Sequence, residues 1–342
     1  MSQPHRPTIA EAAQLSGVSP PTVSKVLNGS GHVAESTRAR VLAALDEIGY
    51  VSRRTRSSRR TSASGYIQVV VKSIQSPFLL RILDGAHAEA RRAGLGVIVT
   101  GADAGSSSEW LDAHRSVTSQ VVGTLFVSPD EADNAAAERA SLIRPIVVLE
   151  PKKAPPPGVL SVSTANWHGG MQAMEHLIGL GHRRIGLISG SASLYSKARI
   201  GAYVSALDSD DIPLSADLMR RGAFSVASGR REGLALLDLD QRPTAIFATS
   251  DEIAFGVASA ARDRGLSVPE DLSVVGFDDI PEATWMTPLL TTVRQPLDQL
   301  AQLAVQALVR RGHGEFVDSD RIELSTELVV RESTAPPPNC TT

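Results

Sequence analysis

The residues with the clearest chemical role lie in one short stretch near the start of the chain, SPPTVSK from Ser19 to Lys25. The preceding residues 8–16 form a predicted helix, because Ile9, Ala12, Ala13 and Leu15 make an apolar stripe at helical spacing. Gly17 supplies the positive φ that ends a helix, and Ser19 begins a second helix whose early prolines need no amide partner. Such a helix-turn-helix presents the exposed side of residues 19–25 to the major groove of DNA. The stretch therefore predicts sequence-specific DNA binding.

Three short helices must position this stretch. In the second helix and the turn before it, the residues expected to face inward are Val18, Val23, Val26 and Leu27. Residues 36–48 carry Val41, Leu42, Leu45 and Ile48 at helical spacing, which predicts a third helix. The three helices together would enclose a small apolar core.

The charge of the chain is divided unevenly. Residues 1–60 hold nine Lys or Arg and four Asp or Glu, a balance of +5, so a total of −3 leaves −8 for the remainder. Five arginines lie between Ser52 and Gly65 with no large apolar residue among them, which is the composition of a linker. This segment is either a solvated charged spacer or an arm that contacts DNA. Its place beside a helix-turn-helix favours the arm.

The overall composition indicates a soluble globular protein with a large core. No apolar run approaches the ~20 residues of a membrane span, and the N-terminus lacks an apolar signal core, so we expect a cytoplasmic location without membrane contact. The single cysteine, Cys340, excludes a disulfide framework and a cysteine metal site. It lies in a polar, proline-rich segment, 334–342, which we expect to be a disordered tail.

From Tyr66 onward, short β-branched runs alternate with helical stretches. The predicted strands are 66–71, 97–100, 124–127, 146–149, 159–162, 185–189, 245–248, 274–277, 321–324 and 327–330, and the predicted helices are 78–93, 109–119, 167–179, 197–207, 225–237, 252–264 and 297–311. These βαβ units predict an α/β core made of two doubly wound parallel sheets. A ligand between two such sheets would lie outside the carboxyl ends of their strands.

Enzyme chemistry has little support in this sequence. There is no GxSxG nucleophile elbow and no GxxxxGK[ST] phosphate loop, and Gly94–Gly96 (GLG) follows a helix where a dinucleotide loop must follow a strand. His176 and His182 are six residues apart, so they fall on different helix faces and do not predict a metal pair. We expect no catalytic residues, no metal and no cofactor.

Several motifs in a fixed order identify a family resemblance. They are the headpiece sequence from Thr8 to Tyr50 followed by GHRRIGLISG, KARIGAY, PTAIFATSDEIAFGV, VPEDLSVVGFDD and TPLLTTVRQP. In this order and spacing they resemble the lactose-repressor/galactose-repressor family of bacterial transcription regulators. The resemblance covers nearly the whole chain, and several ordered motifs are far more specific than a lone helix-turn-helix.

The resemblance implies a headpiece at 1–52, a hinge at 53–64 and an effector-binding core at 65–333 with a fold like type I periplasmic binding proteins. The core would divide into an N-subdomain (65–163 and 294–323) and a C-subdomain (164–293 and 324–333). It further implies a homodimer on a palindromic operator, with effector binding in the core changing the affinity for DNA.

The family's DNA contacts carry over to this chain residue by residue. The base-reading positions are Pro20, Pro21 and Lys25, of which only Lys25 can hydrogen bond a guanine edge. The backbone-contacting positions are Ser19, Thr22, Ser24, Asn28 and His32. In the hinge, this chain has Arg53, Arg56 and Arg59 where relatives have an Asn, an Ala and a wedge Leu, so we expect Arg53, Arg54, Arg56, Arg59 and Arg60 to act electrostatically in the minor groove.

The family's effector-binding positions fall on Phe78, Ser128, Glu150, Arg199, Phe224, Asp251 and Asp278. Carboxylates and a forked guanidinium hold vicinal hydroxyls, and aromatic faces pack on the C–H surface of a sugar. The implied function is a repressor of carbohydrate-utilisation genes controlled by a sugar or oligosaccharide. A regulator co-repressed by a purine or another non-sugar metabolite stays open as the alternative. A transport-type sugar-binding protein would need a secretion signal and would lack a DNA headpiece.

Overall fold

The computed structural model describes residues 8–28, 34–47, 65–72, 74–101, 120–129, 145–315 and 319–338. The chain forms two compact units, Met1–Ser64 and Gly65–Thr342. The predicted helix 109–119 lies outside the described residues. Within the described part of the chain, no helix is long and apolar enough to cross a membrane.

The first unit contains three helices, α1 (Ile9–Ser16), α2 (Pro20–Asn28) and α3 (Glu35–Glu47). A capping box starts α1, since Thr8 Oγ1 accepts from the Glu11 amide at 3.3 Å and Glu11 Oε2 accepts from the Thr8 amide at 3.2 Å. Gly17 ends α1 with a φ of 66°. The helices share a buried core formed by Ala12, Ala13, Val23, Val26, Val41 and Leu45.

The structure corrects one residue of the predicted apolar stripe in α1. Leu15 is 50% exposed, and the inward position one turn after Ala12 belongs to Ser16, whose hydroxyl donates to the Ala12 carbonyl at 2.5 Å. With 3.6 residues per turn, positions 12, 13 and 16 share one face, and position 15 falls outside it. A leucine at this position remains in solvent while a hydrogen-bonded serine closes the core.

The second unit is an α/β core. Its described helices and strands are, in chain order, β1 (Tyr66–Val71), α4 (Pro77–Arg92), β2 (Gly96–Gly101), β3 (Val121–Val127), β4 (Ile146–Leu149), β5 (Leu160–Thr164), α5 (Asn166–Gly179), β6 (Ile185–Ser189), α6 (Leu194–Ser209), β7 (Met219–Arg221), α7 (Val226–Leu237), β8 (Ala245–Ala248), α8 (Asp251–Asp263), β9 (Ser273–Asp278), β10 (Thr291–Arg294), α9 (Leu297–Gly312), β11 (Arg321–Leu324) and β12 (Glu327–Val329). Short 3-10 turns lie at Ala216–Leu218 and Pro281–Thr284.

The strands form two six-stranded sheets. The first has the order β11-β5-β4-β3-β1-β2 and the second β12-β10-β9-β8-β6-β7. All neighbouring strands are parallel except β10 and β12, which pair antiparallel. The inner strands β4 and β8 are apolar along their whole length, as expected where helices cover both faces of a sheet. This is the doubly wound α/β class predicted from the sequence.

The chain passes between the two sheets three times: from β5 into α5, from β10 into α9, and from β11 into β12. Helix α9 returns to the first sheet and packs against α4, where Arg81 makes a bidentate ion pair with Asp298 at 3.0 and 2.7 Å. The two helices approach closely at Gly85, because a Cβ there would collide with the Asp298 backbone. Both subdomains are therefore discontinuous in sequence.

The segment expected to be a disordered tail packs in part against the second subdomain. Ser273 Oγ donates to the Ala335 carbonyl at 2.9 Å, and His176 Nε2 lies 2.9 Å from Thr334 Oγ1. His182 Nδ1 lies 2.9 Å from Thr244 Oγ1, and burial lowers the pKa of this histidine. The prediction of disorder is therefore wrong for residues 334–338, and residues 339–342 lie outside the described part.

Candidate effector cleft and DNA-reading surface

A cavity of about 530 Å³ lies at the carboxyl ends of the strands of both sheets. On one wall, Lys72 follows β1, Ser128 follows β3 and Glu150 follows β4. On the other wall, Ser250 follows β8 and Asp278 ends β9. The volume lies in the range of small-molecule pockets, and parallel sheets bind ligands at this edge.

Six of the seven effector positions predicted from the family line this cavity: Phe78, Ser128, Glu150, Arg199, Phe224 and Asp278. The structure thus brings together residues that are up to 200 positions apart in the chain. Whether each contacts a ligand stays a prediction.

Asp251 is the exception and is corrected by the structure. Its side chain is fully buried, with Oδ2 accepting from the Ile280 amide at 2.9 Å and Oδ1 from Thr292 Oγ1 at 2.5 Å. Burial raises the pKa of Asp251 well above the ordinary range. As the first residue of α8 it turns back toward the sheet, and Ser250 before it and Glu252 after it line the cavity instead.

Sequence reasoning missed several residues of the cavity wall, notably Tyr195, Lys72 and Lys152. Tyr195 lies in the first turn of α6, where its ring centroid is 5.7 Å from that of Phe224. The two rings are tilted by 47° to each other. Tyr195 lies within a helix, so the rule that cleft residues directly follow strands does not identify it.

Arg199 is the central cation of the cleft and is only 3% exposed. Its Nε donates to Asn166 Oδ1 at 2.8 Å and its Nη1 to the Thr249 carbonyl at 2.6 Å, while Nη1 lies 3.7 Å from Asp278 Oδ1. Its guanidinium carbon is 3.6 Å from the centroid of the Phe277 ring, a cation–π contact. Burial lowers the pKa of Arg199, and the neighbouring carboxylates Asp278 and Glu150 oppose that change.

Glu150 and Asp278 are the two buried acids of the wall. Glu150 Oε1 lies 2.5 Å from the Thr164 amide nitrogen, and Oε2 lies 3.1 Å from Asn166 Nδ2. Burial raises the pKa of Glu150, although Arg199 nearby works in the opposite direction. Burial also raises the pKa of Asp278, to about 7, against the influence of Arg199 and of a hydrogen bond from Gln295.

The backbone at the strand ends of the cleft is strained. Ser128, Glu150, Asp278 and Asp279 have positive φ values of 48°, 44°, 122° and 54°, although none is a glycine. Such conformations cost about 1–3 kcal/mol each and cluster at ligand sites and active sites. Their concentration at the carboxyl ends of β3, β4 and β9 supports a ligand-binding role for this edge.

The two walls of the cleft also contact each other. The Leu194 amide, at the start of α6, donates to the Lys152 carbonyl at 2.9 Å. Burial raises the pKa of Tyr195, whose hydroxyl is close enough to Ser128 on the opposite wall for that residue to lower the pKa in part. Lys152, Tyr195 and Ser128, at this contact between the walls, also line the cavity.

In the first unit, α2 presents a polar and basic face to solvent. Ser19, Pro20, Pro21 and Lys25 are exposed, Thr22 and Ser24 are partly exposed, and Val23 and Val26 are buried beneath them. The Ser19 carbonyl accepts from the Thr22 amide at 2.9 Å, which starts the helix. The side chain of Asn28, His32 and the five hinge arginines Arg53, Arg54, Arg56, Arg59 and Arg60 lie outside the described residues.

Comparison with known families matches both units. Residues 8–53 match the bacterial regulatory proteins of the lacI family, and residues 174–334 match the periplasmic binding protein-like domain. The transcriptional repressor PurR of Proteus mirabilis is 31% identical over 333 residues, which cover 97% of this chain and 98% of the relative.

Two solved structures share the fold of nearly the whole chain. The complex of the transcriptional regulator CelR with cellobiose has a TM-score of 0.72 and 31% identity, with 96% of this chain and 100% of that chain covered. The lac repressor dimer bound to operator and the anti-inducer ONPF has a TM-score of 0.72 and 28% identity, with 97% and 100% covered.

Proposed function

The chain belongs to the LacI family of bacterial regulatory proteins, and on this premise we propose that a small sugar or oligosaccharide in the core cleft controls its affinity for operator DNA. Members of this family are transcriptional regulators, not enzymes, and this chain is a transcriptional repressor of that family. The proposed target genes are those of carbohydrate utilisation.

The observation that carries the proposal is the combination of groups around the cavity. Arg199 and Asp278 offer a forked donor and a carboxylate, which suit the vicinal hydroxyls of a sugar. Phe78, Phe224 and Tyr195 offer aromatic faces for its C–H surface. The cellobiose complex of the similar regulator CelR supports the same ligand class.

A purine or other non-sugar co-repressor is the second candidate. The ring of either Tyr195 or Phe224 can stack on a planar base, and the relatives include the repressor PurR. In that case the ligand would tighten DNA binding instead of releasing it. The sign of the change in operator affinity separates the two modes.

For the DNA-binding unit, we propose that Lys25 reads a guanine edge while Pro20 and Pro21 contact bases by shape or through a thymine methyl group. All three are exposed on one side of α2. Ser19, Thr22, Ser24, Asn28 and His32 would contact phosphates. The lac repressor dimer on its operator supports a homodimer on a palindromic site for this chain as well.

A thermal-shift screen of monosaccharides, oligosaccharides and purine bases tests the ligand class. A true ligand stabilises by RT ln(1 + [L]/Kd), which is about 2.7 kcal/mol at a hundredfold excess over Kd. Arg199→Lys retains the charge but loses the fork, so the stabilisation should fall sharply. The matched control is Arg264→Lys, because Arg264 pairs with Asp238 on the surface away from the cavity lining.

Two results would contradict the proposal. If the best ligand stabilises the Arg199→Lys protein as much as the wild type, Arg199 does not bind the ligand. Stabilisation by purine bases alone, with stronger binding to labelled operator in their presence, would replace the sugar by a co-repressor.

A further inference from the structure

Six buried polar side chains form a closed ring that joins the two sheets beside the cavity. Thr164 Oγ1 lies 3.0 Å from Glu150 Oε1 and 2.6 Å from Gln295 Oε1, and Gln295 Nε2 hydrogen bonds to Asp278 Oδ1. Asn166 and Arg199 close the ring, since Asn166 bonds both Glu150 and the Arg199 guanidinium, which in turn faces Asp278. Thr164 ends β5 of the first sheet, and Gln295 follows β10 of the second.

The number of hydrogens available for the bonds of this ring determines how many protons its two carboxyls carry. The Thr164 hydroxyl has one hydrogen but faces an acceptor oxygen of Gln295 and a carboxyl oxygen of Glu150. If Thr164 donates to Gln295, then Glu150 must donate to Thr164 and therefore carries a proton. Gln295 Nε2 then donates to Asp278, which is ionised.

The opposite arrangement fits the same heavy atoms, because the oxygen and nitrogen of a glutamine amide are interchangeable in shape. With the Gln295 amide turned over, a protonated Asp278 donates to its oxygen. The amide nitrogen then donates to Thr164, and Thr164 donates to an ionised Glu150. The path Glu150–Thr164–Gln295–Asp278 is called the relay. Each arrangement satisfies every contact along the relay with one proton on the two carboxyls.

The electrostatics of the cluster also favour one proton on the two carboxyls. Two ionised acids would leave a net negative charge beside the single buried cation Arg199, whereas one shared proton makes the cluster neutral. Burial raises the pKa of both acids, and each is affected by the charge of Arg199. The other titratable groups that face the pair are Tyr195, Asp251, Glu252 and, on the cavity wall, Lys72 and Lys152.

We propose that Glu150 and Asp278 share one proton through Thr164 and Gln295, which makes Thr164, Gln295 and Glu150 positioning residues for the cleft carboxylate Asp278. The relay holds the charge on Asp278 when Glu150 is protonated. A ligand whose hydroxyls donate to Asp278 selects that arrangement, and the contact between the sheets through Thr164 and Gln295 is then fixed in one orientation. This last consequence depends on the proposed effector function, but the sharing of the proton does not.

Infrared spectroscopy of the ligand-free full-length protein at pH 7 tests the proposal, because a protonated carboxyl group has its own C=O stretch. The wild type should show one such band from the pair. Asp278→Asn should abolish that band, since Glu150 then stays ionised opposite Arg199, accepting from both the amide and the hydroxyl of Thr164, and the new amide donates to Gln295. Glu252→Gln, at an acid of the same cavity outside the relay, should retain it.

Thr164 provides a second, independent readout. Thr164→Ser retains the hydroxyl and should leave the band at its wild-type frequency, whereas Thr164→Val removes the relay and should shift it. The proposal is overturned if no band from the pair is present at pH 7, or if Asp278→Asn retains a band from Glu150. Because these spectra need no ligand, their failure is separate from failure of the sugar screen.

Discussion

Replacing Arg199 by methionine removes the buried cation of the cleft while preserving most of the volume of the side chain. The Asn166 side-chain oxygen and the Thr249 carbonyl lose their donors, and Asp278 and Glu150 lose the positive charge that favours their ionised forms. Removal of one partner from a buried ion pair costs about 3–5 kcal/mol. We therefore expect the free energy of unfolding to fall by about 4 kcal/mol at pH 8.

This loss should depend on pH. Both acids have a folded-state pKa above the unfolded value, so each binds a proton more tightly in the folded protein, and its contribution to stability is lost as the pH rises through the folded pKa. Without Arg199 the folded state holds one more proton than the wild type near neutral pH. One proton changes the stability difference by about 1.4 kcal/mol per pH unit, so the penalty should shrink by about 3 kcal/mol between pH 8 and pH 6.

Urea denaturation followed by circular dichroism at pH 6, 7 and 8 measures this penalty directly. Arg264→Met serves as the control, because Arg264 pairs with Asp238 in solvent, and its small effect should not change with pH. An Arg199→Met penalty of equal size at all three pH values would refute the reasoning. It would mean that packing against Phe277, not charge, determines the contribution of Arg199.

Three further results are expected. Lys25→Ala should abolish discrimination between a selected operator and random DNA in fluorescence titrations. The control Arg40→Ala removes the same charge and should weaken binding to both DNAs alike. Discrimination retained by the Lys25 variant would show that shape readout dominates. Alanine at the five linker arginines should lower operator affinity and reduce the salt slope by roughly 0.9 for each phosphate that the arm no longer neutralises, and an unchanged slope would rule out the DNA-contacting arm. Gly190→Ala should reduce the affinity for the best-binding saccharide in calorimetry, because its Cβ would collide with the Phe224 ring. Gly201→Ala should leave the affinity unchanged, because the nearest neighbour of its Cβ is 3.7 Å away. Equal affinities of the two variants would exclude Phe224 from the site.

The parts of the fold that the sequence predicts well are the inner strands. Parallel strands covered on both faces are continuous apolar runs, and the predicted ranges 146–149, 185–189 and 245–248 coincide with the observed β4, β6 and β8. The edge strand β7 was not predicted, because two of the three residues of Met219–Arg221 are arginines and the strand lies at the margin of its sheet. Strand β10 was also missed: its four residues, Thr291–Arg294, begin with two hydroxyl side chains and end in an exposed arginine.

Part of the cleft was predictable from residues that directly follow a strand, since parallel topology brings these positions to one edge, although Lys72 after β1 was missed. Ser128 and Glu150 are examples of the residues predicted in this way. The same rule failed for Asp251, because the first residue of a helix can turn back toward the sheet. Thr164 and Gln295 were out of reach, because they are 131 residues apart and nothing in either local sequence indicates a hydrogen bond between the sheets.

The three passages of the chain between the sheets have a consequence for protein engineering. The first sheet takes its strands from both sides of the stretch that builds the second, so a chimera with one junction between two relatives would mix parental strands within a sheet. An exchange of a whole subdomain needs junctions near residues 165, 295 and 325 together. A gene fragment that encodes only one wall of the cleft is therefore not a natural unit of exchange, whereas the boundary between Ser64 and Gly65 separates two contiguous modules that one junction can recombine.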